Sequence, residues 1–252
     1  MIKIIMNGCN GKMGQVISKL ISEADDMEII CGIDINNNVK NTYPVYPSIS
    51  DFEGQADVII DFSHPSTLSS VLQYAQSKKT PAIIATTGLS AEQKDEIKNA
   101  SQDVAMFFSA NMSLGINLII DLVSKAAKIL EENFDIEIIE KHHNQKIDAP
   151  SGTALAIADA ISASVKIEPE YTYDRHSVRK KRGKNEIGIH SLRGGTIVGE
   201  HAVIFAGQDE IIEIKHQATS KEIFAVGAVR AAKFIAGKKP GLYSMNDLIS
   251  EK

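Results

Sequence analysis

The densest run of ionisable groups in the chain is Glu137-Ile138-Ile139-Glu140-Lys141-His142-His143-Asn144-Gln145-Lys146-Ile147-Asp148-Ala149-Pro150-Ser151-Gly152-Thr153-Ala154. It leaves an apolar, strand-like stretch and ends where an apolar helix begins. Histidine is the usual acid near neutral pH, and Lys146 adds a fixed positive charge close behind His142. Adjacent histidines inside a strand point to opposite faces, but at a strand end both can reach one space. Pro150-Ser151-Gly152-Thr153 reads as a helix start whose unpaired N–H groups suit a carboxylate. His142, His143, Lys146 and this helix start together describe a site for a small anionic substrate that must be protonated. The plainer alternative is a surface histidine pair beside a Ser151 helix cap. Adjacent histidines on an extended strand cannot easily chelate one ion, and no cysteine or carboxylate falls at ligand spacing, so no metal site is expected.

A second motif is a turn. Gly8-Cys9-Asn10-Gly11-Lys12-Met13-Gly14 follows the first strand-like run and opens the first helical one, with asparagine where a GxGxxG pattern has its second glycine. Asparagine tolerates left-handed backbone angles better than most residues, so the turn survives the exchange. Such a turn aims free N–H groups and a positive helix end at a pyrophosphate. Asp34 closes the second strand 20 residues after Gly14, the position from which a carboxylate hydrogen-bonds an adenosine ribose. The bland reading is a tight turn with a surface aspartate. Asp61-Phe62-Ser63-His64-Pro65 and Ala85-Thr86-Thr87-Gly88 follow later strands, where a dinucleotide crosses the sheet's carboxyl edge. A carboxylate at 34 suits a free 2′-hydroxyl, and Ile35-Asn36-Asn37-Asn38 offers no arginine for a 2′-phosphate. NADH is therefore favoured slightly over NADPH.

Positioning these groups requires a particular succession of elements. Up to about residue 110, short β-branched runs (2–6, 27–33, 58–60, 82–85, 104–108) alternate with helical spacing (12–24, 65–77, 91–100), which implies a parallel sheet of βαβ units. From 113 to 222 the character changes. A helix at 117–130, a strand at 134–140 and a small-residue helix at 153–165 precede three strands at 187–193, 196–205 and 210–218. Gly194-Gly195 and Gly207-Gln208-Asp209 between those strands favour hairpins and an antiparallel sheet. A helix at 223–236, a Lys-Lys-Pro-Gly turn and a short tail end the chain. The expected fold class is α/β. A Rossmann-like parallel-sheet domain takes residues 1–112 and 223–252 and binds the dinucleotide. An inserted α+β domain, 113–222, has a mixed or antiparallel sheet for substrate binding and oligomerisation.

Composition bounds the function without naming it. A chain of 252 residues gives a prior of roughly 1.7 domains. Cys9 and Cys31 are too few for a disulfide framework or structural zinc, and both lie in the nucleotide-binding half, which argues against thiol catalysis. A formal charge of −5 argues against bulk nucleic-acid binding. No apolar run approaches the roughly 20 residues of a membrane span, and Met1-Ile2-Lys3 enters a strand-like run directly, so no membrane partner is expected and a cytoplasmic location is. The one basic run, Arg179-Lys180-Lys181-Arg182-Gly183-Lys184, is read as a solvated loop. His176, His190, His201 and His216 are read as structural or surface groups. Arg193 and Arg230 have no placement from spacing alone.

The run EIIEKHHNQKIDAPSGTA at 137–154 closely resembles the signature of the 4-hydroxy-tetrahydrodipicolinate (dihydrodipicolinate) reductases of bacterial lysine biosynthesis. ATTG at 85–88, FFSANMSLGIN at 107–117 and IGIHSLRGGTIVGEHAVIFAGQDEIIEIKHQA at 187–218 resemble the same family in order and spacing. The resemblance implies hydride transfer from NAD(P)H to C4 of a cyclic imine dicarboxylate. It makes His142 the general acid, protonating the enamine carbon or assisting loss of the 4-hydroxyl as water. Lys146 is implied as its proton-donating or substrate-orienting partner, and His143, Gly152 and Thr153 as substrate-binding residues. The implied cofactor positions are Gly8, Cys9, Asn10, Gly11, Lys12, Met13, Asp34, Ala85, Thr86, Thr87, Ser109, Ala110, Asn111 and Met112. The family assembles tetramers through the second domain's sheet, so a homotetramer is expected. Two other classes compete. A two-domain polyol dehydrogenase would need proline at position 142, and a dinucleotide sensor would have no use for His142, Lys146 and an anion-binding helix start.

Overall fold

A computed structural model of the chain describes residues 1–177 and 179–251; Lys252, the last residue of the expected return segment, lies outside them. Two compact units emerge, one of Met1–Leu114 with Glu222–Lys252 and one of Gly115–Lys221. The elements in chain order are β1 (Ile2–Asn7), α1 (Lys12–Ser22), β2 (Met27–Ile33), β3 (Val45–Tyr46), β4 (Val58–Asp61), α2 (Leu68–Lys78), β5 (Ala82–Ile84), α3 (Ala91–Ala100) and β6 (Ala105–Phe108). They continue with α4 (Leu114–Leu130), β7 (Asp135–His142), α5 (Gly152–Ser162), β8 (Glu170–Thr172), β9 (Glu186–Arg193), β10 (Gly199–Ala206), β11 (Ile211–Ala218), α6 (Glu222–Ile235), β12 (Gly241–Tyr243) and α7 (Met245–Ser250). Among the described residues no helix is long and apolar enough to cross a membrane.

The first unit is a seven-stranded sheet in the order β12-β6-β5-β4-β1-β2-β3, with every pairing parallel. Its central strands are apolar on both faces because helices cover both. Ile4 and Met6 of β1 and Ile60 of β4 enter a core shared with Ile17 and Ile21 of α1 and the alanines of α6. Ile5 and Ile59, one residue out of phase, enter the opposite core with Val71 of α2 and Ile97 of α3. Chain direction across the sheet reverses between β1 and β4, so the loops after those strands share one edge at the switch point. Gly227 of α6 permits close packing on the loop after β6: a Cβ there would sit 1.7 Å from the Met112 carbonyl oxygen.

The second unit is a five-stranded mixed sheet in the order β11-β10-β7-β9-β8. Helices α4 and α5 bury Ile119, Val123, Ile157 and Ile161 against the inward residues Ile136, Ile138, Ile189, Val203 and Phe205.

Three expectations need correction. Gly194-Gly195 does not close a β9–β10 hairpin, because β7 lies between those strands, antiparallel to β10 and parallel to β9. The Gly194 N–H donates to the His142 carbonyl and Gly195 accepts from the Asn144 N–H, so this bend packs on the end of β7. Turn residues announce a bend but do not say which strand lies alongside. Among the described residues only β10 and β11 form the anticipated hairpin, with Asp209 at φ +64° in its turn. The terminal stretch is not a plain tail. β12 pairs with β6, and α7 follows with Ser244 bonded through backbone and hydroxyl to Asp247. A three-residue strand is too short for periodicity to reveal. Finally, α4 begins at Leu114, one turn earlier than expected, because Leu114 packs on the first unit's core.

Candidate active site

Strand β7 changes chemistry along its inward face. Ile136 and Ile138 belong to the apolar core, and the next two inward positions are Glu140 and His142, both buried. Register sets their neighbours: Glu140 lies opposite Ser191 of β9 and His201 of β10, and His142 lies opposite Arg193. His142 Nδ1 meets Glu140 Oε2 at 2.6 Å. Arg193 grips the same carboxylate with both terminal nitrogens, each at 2.7 Å. The Ser151 N–H donates to Glu140 Oε1 at 3.0 Å. Burial pushes the Glu140 carboxyl up, but the bonds from Arg193, His142, Ser191 and Ser151 outweigh it and hold it down at about 2.

Ser151 is the N-cap of α5. Its hydroxyl oxygen accepts from Ala154 N and lies 3.0 Å from Nε2 of His201. The His201 ring stands edge-on to His142, with centroids 5.2 Å apart. Burial, with His142 acting in the same direction, pushes His201 down to about 4, so this ring is neutral at physiological pH. Gly152 and Thr153 form the first turn of α5, and the space beside Gly152 is open. Lys146 is paired with Asp148 at 2.8 Å. The Asp148 carboxyl is held below its usual range by Lys146 first, with a contribution from the Gly152 N–H. A carboxylate of the chain itself thus rests against the lysine and the helix start singled out as an anion site. His143 is partly exposed, one residue past the end of β7.

Sequence reasoning quoted Glu140 without giving it a role, left Arg193 unplaced and set His201 aside as structural or surface. The available signal for Glu140 was the period of two, which puts it on the same strand face as His142. Arg193 and His201 are 53 and 61 residues away from Glu140 in sequence, beyond any local pattern. The basic run also needs correction. Arg182 is no solvated side chain: it bonds Asp135 at 2.9 Å, Glu137 at 3.0 Å and the Ile136 carbonyl at 2.9 Å, clamping the start of β7.

In the first unit the predicted turn follows β1. Gly8 has φ +80°, and a Cβ there would fall 2.5 Å from the Phe62 carbonyl oxygen. A Cβ on Gly14 would lie 2.1 Å from the Gly8 oxygen. Gly11 is the N-cap of α1, which has no side-chain cap and no acidic residue in its first turn, and that leaves the helix end suited to a phosphate. Gly11 and Lys12 are exposed, and Met13 is partly buried. Cys9 and Met112 place their side chains in the core, so each can offer a ligand only main chain. Burial raises the Cys9 thiol to about 11.

Asn10 has a job that the sequence did not suggest. Its amide bonds the Asn36 carbonyl and accepts from Asn41, while its N–H donates to Asp34 Oδ2 at 2.9 Å. The turn and the segment after β2 are thereby stitched together, with Asp34 at the seam. Across the switch point, buried Asp61 accepts from Asn7 and Thr86 at 2.7 Å and from Ser63 at 2.5 Å. Ala85 and Thr86 are buried, and Thr87 is exposed. Ser109 bonds the Asn111 carbonyl through its hydroxyl, and Ala110 is exposed at the tip of that bend. These glycine clearances and the uncapped helix end fit a pyridine dinucleotide.

Comparison with known proteins identifies the family. The family description "Dihydrodipicolinate reductase, N-terminus" matches residues 2–112, and "Dihydrodipicolinate reductase, C-terminus" matches residues 115–249. The chain belongs to the dihydrodipicolinate reductase family. A 4-hydroxy-tetrahydrodipicolinate reductase of Caldanaerobacter subterraneus subsp. tengcongensis is 52% identical over 251 residues, covering 100% of this chain and 99% of the relative. One from Clostridium novyi is 50% identical, with both chains fully covered. A dipicolinate-bound dihydrodipicolinate reductase from Paenisporosarcina sp. TG-14 shares the fold at a TM-score of 0.83 and 24% identity, over 98% of this chain and 99% of the other. This family member is therefore an oxidoreductase that works with a pyridine nucleotide on a small molecule.

Proposed function

We propose that the chain is a 4-hydroxy-tetrahydrodipicolinate reductase, reducing a cyclic imine dicarboxylate, with loss of water, to tetrahydrodipicolinate on the diaminopimelate route to lysine. The observation that carries this reading is the buried Glu140–His142 pair joined through Ser151 to the start of α5, in a chain about half identical to named reductases along its whole length. A reduced pyridine nucleotide supplies the hydride. Residues 1–112 and 223–252 form the nucleotide-binding domain, and 113–222 form the substrate domain.

Lys146 and the N–H groups of Gly152 and Thr153 hold the substrate carboxylates, with His143 at their edge. Fixed positive charge there draws electrons from the ring and makes C4 a better hydride acceptor. His142 supplies the proton, to the enamine carbon or to the departing hydroxyl. Gly8 to Met13 receive the pyrophosphate and Asp34 the adenosine ribose, and Ala85–Thr87 with Ser109–Met112 complete the cofactor site. The Asp34 carboxylate, with no arginine after it, favours NADH slightly over NADPH. The sheet face of the second unit that α4 and α5 leave uncovered joins four copies into a cytoplasmic homotetramer; a sedimentation mass of one subunit contradicts that assembly.

The deciding experiment is a coupled assay with substrate made fresh from pyruvate and aspartate semialdehyde. Rapid oxidation of NADH, and of NADPH less efficiently, is expected. No consumption of either nucleotide overturns the proposal.

A further inference from the structure

We infer that Glu140, clamped by Arg193, is a positioning residue that orients His142 and determines which ring nitrogen carries the transferred proton. The inference rests on His142 acting as the acid. Glu140 is wholly buried, and besides Ser191 its carboxylate receives four close donors from His142, Arg193 and Ser151. Oε2 takes His142 Nδ1 at 2.6 Å and Arg193 Nη1 at 2.7 Å; Oε1 takes Arg193 Nη2 at 2.7 Å and Ser151 N at 3.0 Å. A carboxylate offers about four lone-pair sites, so none is left to take up a proton during turnover. Its function is geometric and electrostatic.

With Nδ1 committed to Glu140, the neutral ring keeps its proton on Nδ1, and Nε2 is the atom that exchanges. When the Nε2–H bond breaks and the proton passes to the substrate, the electron pair stays on Nε2 and the four bonds to Glu140 persist. The flank of Nε2 is kept low by Gly199, where an added Cβ would come within 3.2 Å of that nitrogen.

A lone buried carboxylate would set a full negative charge against the His142 ring. The bidentate guanidinium offsets that charge while leaving the hydrogen-bond geometry intact. Arg193 is itself fixed by the carbonyls of Asp148 and Leu192. The same carboxylate also anchors Ser151, so the acid and the helix start that receives the substrate share one buried reference point.

The test is a double-mutant cycle of Glu140→Gln and His142→Gln on the full-length protein, with imidazole 15N shifts measured on the wild type. Glu140→Gln is expected to lower kcat by about 10²-fold, with the substrate KM changed by less than about threefold and nucleotide affinity retained. The double variant is expected to be within about twofold of His142→Gln alone. Full turnover in Glu140→Gln beside an impaired His142→Gln overturns this inference alone, as does a double variant that falls by the product of the two effects. Full turnover in His142→Gln overturns the acid itself and this inference with it. The wild-type spectrum needs no variant to fold: neutral His142 protonated on Nδ1 supports the inference, and protonation on Nε2 overturns it.

Discussion

The Thr86 hydroxyl donates to the buried Asp61 carboxylate at 2.7 Å, and its oxygen accepts from the Ser63 N–H at 3.2 Å. One side chain thus ties the loop after β5 to the loop after β4. Burial raises the Asp61 carboxyl against the opposing bonds from Ser63, Thr86 and Asn7, so every donor counts. Thr86→Val keeps the shape but removes one donor from Asp61 and the acceptor for Ser63. The expected cost is about 1–3 kcal/mol, read as a lower Tm, together with a raised nucleotide KM. Thr86→Ser should recover both. Unchanged Tm and KM in the valine variant would remove this residue from the loop's support.

His201 makes stability depend on pH with a definite sign. Its folded-state value of about 4 lies below the ordinary 6.5, so between those values the unfolded chain binds a proton that the folded chain refuses. Stability is therefore complete above about pH 6.5 and declines as pH falls towards about 4. The shift corresponds to roughly 3 kcal/mol. His201→Gln removes this dependence while retaining a hydrogen-bonding partner for Ser151. Urea midpoints at several pH values should show a shallower acid decline in the variant. Parallel declines would assign the effect to other groups.

Gly14→Ala places a methyl group 2.1 Å from the Gly8 carbonyl oxygen, which belongs to the backbone and cannot swing aside. Either the turn opens or α1 shifts. Overpacking of this kind costs about 1–3 kcal/mol, and its functional mark is a rise in nucleotide KM of about tenfold or more. Nucleotide titration by fluorescence checks the expectation. Wild-type affinity in Gly14→Ala would show that this close approach does not shape the site.

The basic run divides sharply between its members. Arg182 is mostly buried and bonded to Asp135 and Glu137, whereas Lys180 is exposed. Arg182→Met takes one of two partners from Glu137, the partner of exposed Asp135, and the donors to several carbonyls, with an expected loss of about 1–3 kcal/mol. Lys180→Met should stay within about 0.5 kcal/mol of wild type. Denaturant unfolding separates the two cases. Equal stability of both variants would restore the reading of a solvated loop.

Local spacing determined a great deal. The succession of apolar runs and helical patterns up to residue 110 is legible because each βαβ unit carries its own periodicity. Glycines at 8, 11 and 14 mark the nucleotide turn, since close backbone approach tolerates little else there. His142, Lys146 and the Ser151-Gly152-Thr153 helix start lie within one short stretch, and their chemistry can be read from residue type alone. Strand neighbours were decided only by the tertiary structure. Gly194-Gly195 looks like a hairpin turn from sequence, yet β7 lies between β9 and β10 and pairs with both. The same long-range register brings Arg193 and His201 to Glu140. Hydrogen bonding in a sheet acts between strands far apart in the chain. A sequence can therefore show that a histidine is poised for chemistry, but which carboxylate and which arginine hold it is decided by the fold.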